Sequence, residues 1–351
     1  MKKTAFYIAL VALVVAGAEL LCATALRLLQ GNWTYAAENY NQKLFEPDTL
    51  LVGVPKKNIS LAIQGIHYSH NSDGFRGKNF QAKTKKRIAC IGGSTTYCIG
   101  VNDNETWPFY LDSLLQPEYE VMNFGIPGHS TVEHKKLLPE IISRYAPDIV
   151  LFQVGLNDMR CMHVNHLAND YSNFHQPSLY ASFGFCLRDR LPRSALLYAA
   201  VTLLQKIKVI PACPFPDGNP GGVLSDTVDE KVAENFSNNV DTLLQQCFNA
   251  DISAGLLPQL LSEDVVTDEN YRWWVPYLTK KGIFSAQQKM NDILQAKGSA
   301  ERKVFFLAAN GNVEIRKEDF FDASHLNARG NLKLAEFLAA RLRESPLPPN
   351  P

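Results

Sequence analysis

The sequence has no excess charge of either sign. Thirty-five lysines and arginines stand against thirty-five aspartates and glutamates, so no general attraction to nucleic acid or an anionic surface is expected. No segment repeats. The seven cysteines follow no zinc-module spacing. The Gly-Lys-Ser/Thr ending of a phosphate-binding P-loop is missing, and so is the Gly-x-Ser-x-Gly nucleophile elbow. The expectation is therefore a chain without cofactor, metal or nucleic-acid partner. What is present is ordinary globular composition, 46% hydrophobic and 20% charged, over 351 residues. That is enough for one large domain with a sizeable core.

The N-terminus departs from this. After Lys2 and Lys3, residues 4–26 carry a single charge, Glu19. A helix of that length reaches across a bilayer, and the lysines favour a cytoplasmic start. Glu19 falls toward the outer end, within reach of the interface. Ala16-Gly17-Ala18 offers a signal-peptidase site as the competing reading. Lipidation at Cys22 is disfavoured by Leu21. Either way, the remainder of the chain is exported: membrane-anchored with the rest of the chain outside the cytoplasm (periplasmic if bacterial), or secreted after cleavage. In that compartment Cys90, Cys98, Cys161, Cys186, Cys213 and Cys247 form an even set that permits disulfides without fixing their pairing. Sequons at Asn32, Asn58, Asn104 and Asn235 matter only in a eukaryotic secretory route.

Residues 31–86 read as an irregular approach segment. From there strands alternate with helices: strands at 87–91, 119–124, 148–154, 252–257 and 303–307, helices from near Thr106, after Ser130, and at 229–249, 285–296 and 331–343. Pro108 suits a first helical turn, and Ser130-Thr131-Val132-Glu133 is a capping box. Such alternation predicts a parallel sheet covered by helices on both faces. The pattern breaks over 159–222, an insertion too long for a bare loop and placed where a lid would be. The Pro-rich stretch 346–351 reads as a disordered tail.

The chemistry sits where strands end. Gly92-Gly93-Ser94-Thr95-Thr96 follows the first strand, Gly125-Ile126-Pro127-Gly128 the second and Gly155-Leu156-Asn157-Asp158 the third, with Asp322-Ala323-Ser324-His325 before the last helix. Ligands of open parallel sheets bind outside the carboxyl ends of the strands. A serine hydroxyl needs a base to take its proton, and the base needs a third group to hold its tautomer. Asp322 and His325 are close enough for one loop to aim both at Ser94. The developing oxyanion needs preorganised donors, and the Ser94 N–H, Gly128 N–H and Asn157 amide are candidates. A plain turn with a capping serine is the bland alternative for Ser94, and turn chemistry is the one for Asn157-Asp158. His129 and His134 are rival bases.

These blocks, with Asn123-Phe124 before Gly125, resemble in order the four blocks of the SGNH (GDSL-type) hydrolases, over about residues 70–343. Asn71-Ser72-Asp73-Gly74-Phe75-Arg76-Gly77 is similar to a segment that precedes the nucleophile in exported members. The resemblance implies a flavodoxin-like three-layer α/β/α sandwich around a central parallel sheet, a single domain over 87–345 with a large insertion after the third strand. It also implies ester hydrolysis without a metal. By that match Ser94 is nucleophile and first oxyanion donor, Gly128 and Asn157 complete the hole, His325 is the base and Asp322 orients it. Gly93 departs from the family, where an Asp is common before the serine.

Other features have bland readings beside sharper ones. Cys161, His163 and His166 have ligand-like identities but fit a solvated loop or core contacts. Arg188, Arg190 and Arg193 precede the apolar run 195–204, which reads as a packed core helix, with an active-site cover or a membrane contact as alternatives. Trp273-Trp274 suits stacking on a sugar or acyl group, or simple packing. The functional expectation is a serine esterase on an acylated small molecule, glycan or lipid, with removal of O-acetyl groups from a cell-envelope glycan favoured. An acyl transferase, a lipase and a non-catalytic binding protein on the same scaffold remain as alternatives.

Overall fold

A computed structural model describes residues 2–30, 43–46, 48, 50–51, 53–159, 194–207, 209, 224–267, 275, 278–298, 303–307 and 314–344. Cys161, His163, His166, Cys186, Arg188, Arg190, Arg193, Cys213, Trp273, Trp274 and the tail 346–351 lie outside the described residues. So does most of the expected insertion.

The chain opens with α1 (Lys2–Gln30), one continuous apolar helix. Within the segment read as irregular, two antiparallel pairs appear. β1 (Phe45–Glu46) joins β2 (Val54–Pro55), and β3 (Ile59–Ile63) joins β4 (Ile66–His70). The second hairpin escaped notice because its polar residues blur the alternation. They have partners in the fold: Ser69 Oγ and His67 Nδ1 both bond Asp103. The hairpin packs Ile63 and Tyr68 with Leu44, Phe45 and Ile126 around Tyr97, one turn past Ser94.

The central sheet is formed by β5 (Lys86–Gly92), β6 (Tyr119–Gly125), β7 (Ile149–Gln153), β8 (Ser253–Leu256) and β9 (Val304–Phe306), all parallel, in the order β6-β5-β7-β8-β9. This is the flavodoxin-like order, with its switch point beside β5. The strands read as near-continuous apolar runs because helices cover both faces. Ala89, Ile91, Val150 and Phe152 point to one face, against α4 (Thr131–Tyr145), α6 (Glu230–Asn249) and α7 (Lys280–Ala296). Ile88, Cys90, Ile149 and Leu151 point to the other, against α3 (Trp107–Leu114) and α8 (Ala328–Glu344). The expected three-layer α/β/α sandwich is the observed fold.

The helix starts follow their caps. Thr106 accepts the Phe109 N–H at the head of α3, and Ser130 and Glu133 close their reciprocal box on α4. α7 begins five residues earlier than expected, capped by Thr279. Gly282 obscured that start. It is glycine because a Cβ there would stand 2.3 Å from the Ser225 carbonyl oxygen.

One expectation is corrected. The run at 195–204 does form a helix, α5 (Ala195–Lys206), but it packs against α1 and joins none of the core clusters. Its apolar face meets another apolar helix in place of the sheet. Cys90, Cys98 and Cys247 are buried free thiols. Burial raises all three pKa values, to about 12 for Cys98 and Cys247. They behave as small apolar side chains.

Candidate active site

Strand register puts the candidate residues at one level. Gly92 pairs with Gly125 on one side and Gln153 on the other, so β6, β5 and β7 end together. The chain turns sharply after Gly92 into a one-turn helix, α2 (Ser94–Tyr97). Close packing forces glycine here. A Cβ on Gly92 would lie 2.1 Å from Thr96 Oγ1, and one on Gly125 2.2 Å from the Tyr97 nitrogen. Ser94 heads the turn and remains partly exposed, while Thr95 and Thr96 are buried beneath it.

A shallow crevice opens at these strand ends, lined by Ser94, His129, Gly155, Asn157, Gln153 and Gln259 among others. Asn157 donates from Nδ2 to the His129 carbonyl at 2.9 Å, which fixes the amide plane and leaves its second N–H available. A Cβ on Gly93 would sit 2.5 Å from the same Nδ2. Gly128 has φ +82°, a left-handed conformation natural to glycine. Neither the Ser94 nor the Gly128 N–H donates a hydrogen bond among the described residues. Asp158, fully buried, serves structure: it accepts the Thr131 N–H and hydroxyl at the head of α4.

Asp322 and His325 are brought together in one tight turn. The Asp322 carboxylate accepts the N–H groups of Ser324 and His325 and the His325 ring at Nδ1, the last at 2.8 Å. Burial opposes its charge, but the adjacent imidazole and these N–H donors outweigh it and hold the pKa down to about 2. The opposite ring nitrogen, Nε2, is buried and has no hydrogen-bond partner. Among the described residues no hydrogen bond joins it to Ser94. Catalytic hydrogen bonds of unliganded enzymes often tighten only with substrate.

The rival bases serve the fold. His129 is buried and its Nε2 bonds the Gly53 carbonyl at 2.7 Å. Burial lowers its pKa, and burial beside His129 takes His134 down to about 3. Both are neutral packing groups.

Sequence reasoning missed Gln259 and what Arg76 binds. Arg76 is buried and donates to the carbonyls of Tyr97 (2.7 Å), Cys98 (2.6 Å) and Val101 (2.6 Å) at the exit of α2. Its Nε pairs with Asp103, and its guanidinium lies 4.5 Å and 4.8 Å from the ring centroids of Tyr68 and Tyr97. The segment 71–77 thus braces the Ser94 turn from behind. Gln259 follows β8 with its Oε1 buried and unpaired beside the crevice. No residue pattern around it signals that position.

The sequence profile of the GDSL-like Lipase/Acylhydrolase family matches residues 90–332. The chain belongs to that family. It is accordingly an ester hydrolase of the GDSL type, and the profile spans all four blocks from Gly92 to His325. Solved structures similar to this GDSL-type chain include Est24, a carbohydrate acetylesterase from Sinorhizobium meliloti, at 14% identity and TM-score 0.45, covering 74% of this chain and 99% of that one. The M. smegmatis aryl esterase matches at 13% identity and TM-score 0.44, with the same coverages of 74% and 99%. A putative lipolytic protein of the G-D-S-L family from Desulfitobacterium hafniense matches at 13% identity and TM-score 0.40, covering 73% and 99%. Comparison with curated protein sequences finds no significant match.

Proposed function

We propose that the protein is a membrane-anchored serine esterase that removes short acyl groups, with acetyl esters of a cell-envelope glycan as its substrate class. Ser94 Oγ attacks the ester carbonyl and His325 Nε2 accepts its proton. The tetrahedral oxyanion is held by the N–H groups of Ser94 and Gly128 and by Asn157 Nδ2. The imidazolium then protonates the leaving alkoxide, and water attacks the acyl-serine by the same route. Asp322 stays ionised throughout, fixing the tautomer that leaves Nε2 free to act as base.

The observation that carries this reading is the His325 ring, with Nδ1 held by Asp322 and Nε2 buried without a partner. A ring so held has one nitrogen available for a nucleophile's proton. The span Lys3–Ala25, with mean hydropathy 2.3 and no buried side chains, supports the anchor. Lys2 and Lys3 at its start support an external catalytic domain.

The test is hydrolysis of p-nitrophenyl acetate, butyrate and octanoate by the full-length protein in detergent, beside Ser94→Ala. Turnover that falls with chain length and is absent in Ser94→Ala is expected. Equal turnover by Ser94→Ala would remove Ser94 from its role, and a preference for octanoate would replace the acetylesterase with a lipase.

A further inference from the structure

Resting on the reading of α1 as a membrane span, we propose that α5 is a second membrane element. It lies in the outer leaflet beside the anchor, docked there by Glu19, and its uncovered apolar side chains take lipid acyl chains.

The first observation is where Glu19 finds its partners. The carboxylate is the sole charge in residues 4–26. It accepts the Ser194 hydroxyl at 2.7 Å and the N–H groups of Ala195 at 2.5 Å and Leu196 at 3.1 Å. The first N–H groups of a helix have no partner within it, and an acid in a membrane span is costly unless paired toward a neighbouring helix. Each therefore removes the other's desolvation problem. In water neither contact would be needed, because solvent satisfies both groups.

The second is depth. Glu19 precedes the end of the span at Ala25 by six residues, or about 9 Å of helix rise. Partial burial on α1 is confined, among its described side chains, to Ala18, Glu19, Cys22 and Ala23. That strip runs from Glu19 toward the outer end, so α5 lies along the outer part of the anchor. Small residues at the contact, including fully buried Ala195, suit the close helix approach that membranes favour.

The third is the surface left over. Between Arg193 and Lys206 no residue other than Tyr198 is ionisable, so the charges of this stretch stand at the two ends of α5. Leu197 and Leu203 on α5 are exposed, and so are Leu20 and Leu21 on the neighbouring stretch of α1. Both helices thus leave large apolar side chains uncovered where they meet, as one lipid-facing surface would require.

The test places a photoreactive p-benzoylphenylalanine singly at Leu13, Leu203 or Leu332 of the full-length protein in phosphatidylethanolamine–phosphatidylglycerol vesicles, and reads lipid adducts by mass. Adducts at Leu13 and Leu203, with none at Leu332 on water-facing α8, are expected. An adduct at Leu13 alone overturns the proposal and leaves the anchor standing. No adduct at either removes the anchor and the proposal together. Adducts from Leu203 to protein alone would replace lipid with another partner and overturn it as well. Glu19→Leu is expected to lower the Leu203 lipid adduct several-fold while Leu13 keeps its own, and an unchanged Leu203 yield would remove Glu19 from the docking.

Discussion

Gly93 and Asn157 are neighbours across the crevice: a Cβ on the glycine would stand 2.5 Å from the amide nitrogen of the asparagine. The position has φ −85°, so its need for glycine comes from this contact and not from a left-handed backbone. Gly93→Ala is expected to push Asn157 off the His129 carbonyl and lower kcat on p-nitrophenyl acetate by about 10-fold or more, against roughly 10²–10³ for Asn157→Ala. In an Asn157→Ala background the added Gly93→Ala change should cost little more, because both act on one amide. Additive losses would show that Gly93 acts elsewhere.

Asp322 is expected to hold its charge at every working pH, since its pKa is held near 2. The acid limb of kcat/KM should therefore not report the Asp322 carboxylate. Asp322→Asn should lower kcat by about 10³–10⁴ through loss of the tautomer that frees Nε2. The sign for stability comes from a depressed acid: the contribution is present above the unfolded value of 3.8 and lost as pH falls toward 2. Titration of kcat/KM, with thermal unfolding at each pH, measures both.

Arg76 is expected to matter for the nucleophile without touching substrate. Arg76→Lys keeps the charge beside Asp103 but cannot reach three carbonyls with one ammonium group. We expect kcat to fall about 10-fold with KM little changed, through drift of the Ser94 turn. Arg76→Met removes the charge as well and should destabilise the fold by about 3–5 kcal/mol, leaving Asp103 without its guanidinium. A Lys variant with native kcat would assign Arg76 to stability alone.

Three buried histidines predict acid sensitivity. Burial lowers His70 to about 4 and His134 to about 3, and lowers His129 as well. The unfolded chain then binds more protons than the native one below the ordinary value of 6.5, so stability falls as pH drops from there toward 3. Between pH 6.5 and 5 the loss is at most about 2 kcal/mol per histidine. Thermal unfolding at pH 7 and pH 5 should show the drop, and His134→Gln should reduce it.

Legibility in the sequence tracked local signals. β5, β6 and β7 were readable because burial on both faces leaves apolar runs that end at glycines. α4 and α6 were readable from a capping side chain followed by an apolar stripe. The Asp322–His325 pair was readable because a single turn holds both residues. The β3–β4 hairpin was not, since His67 and Ser69 are polar for partners far along the chain. Arg76 looked like part of a motif, and its targets at Tyr97, Cys98 and Val101 emerge only in three dimensions. The helix at 195–206 was legible as a helix but not in its neighbour, because nothing near Ser194 points to Glu19.

The contact between Glu19 and Ser194 spans 175 residues, and that separation has a bearing on how the protein is made. The leader is synthesised first, while its partner helix emerges only after the first three strands of the sheet. Glu19 must wait, uncapped, until more than half of the chain has been made. Processing at Ala16-Gly17-Ala18 during that interval would turn a mid-helix acid into a chain end and take away the rail along which the later helix is laid. On this view the N-terminal segment is a template for assembly as well as an address.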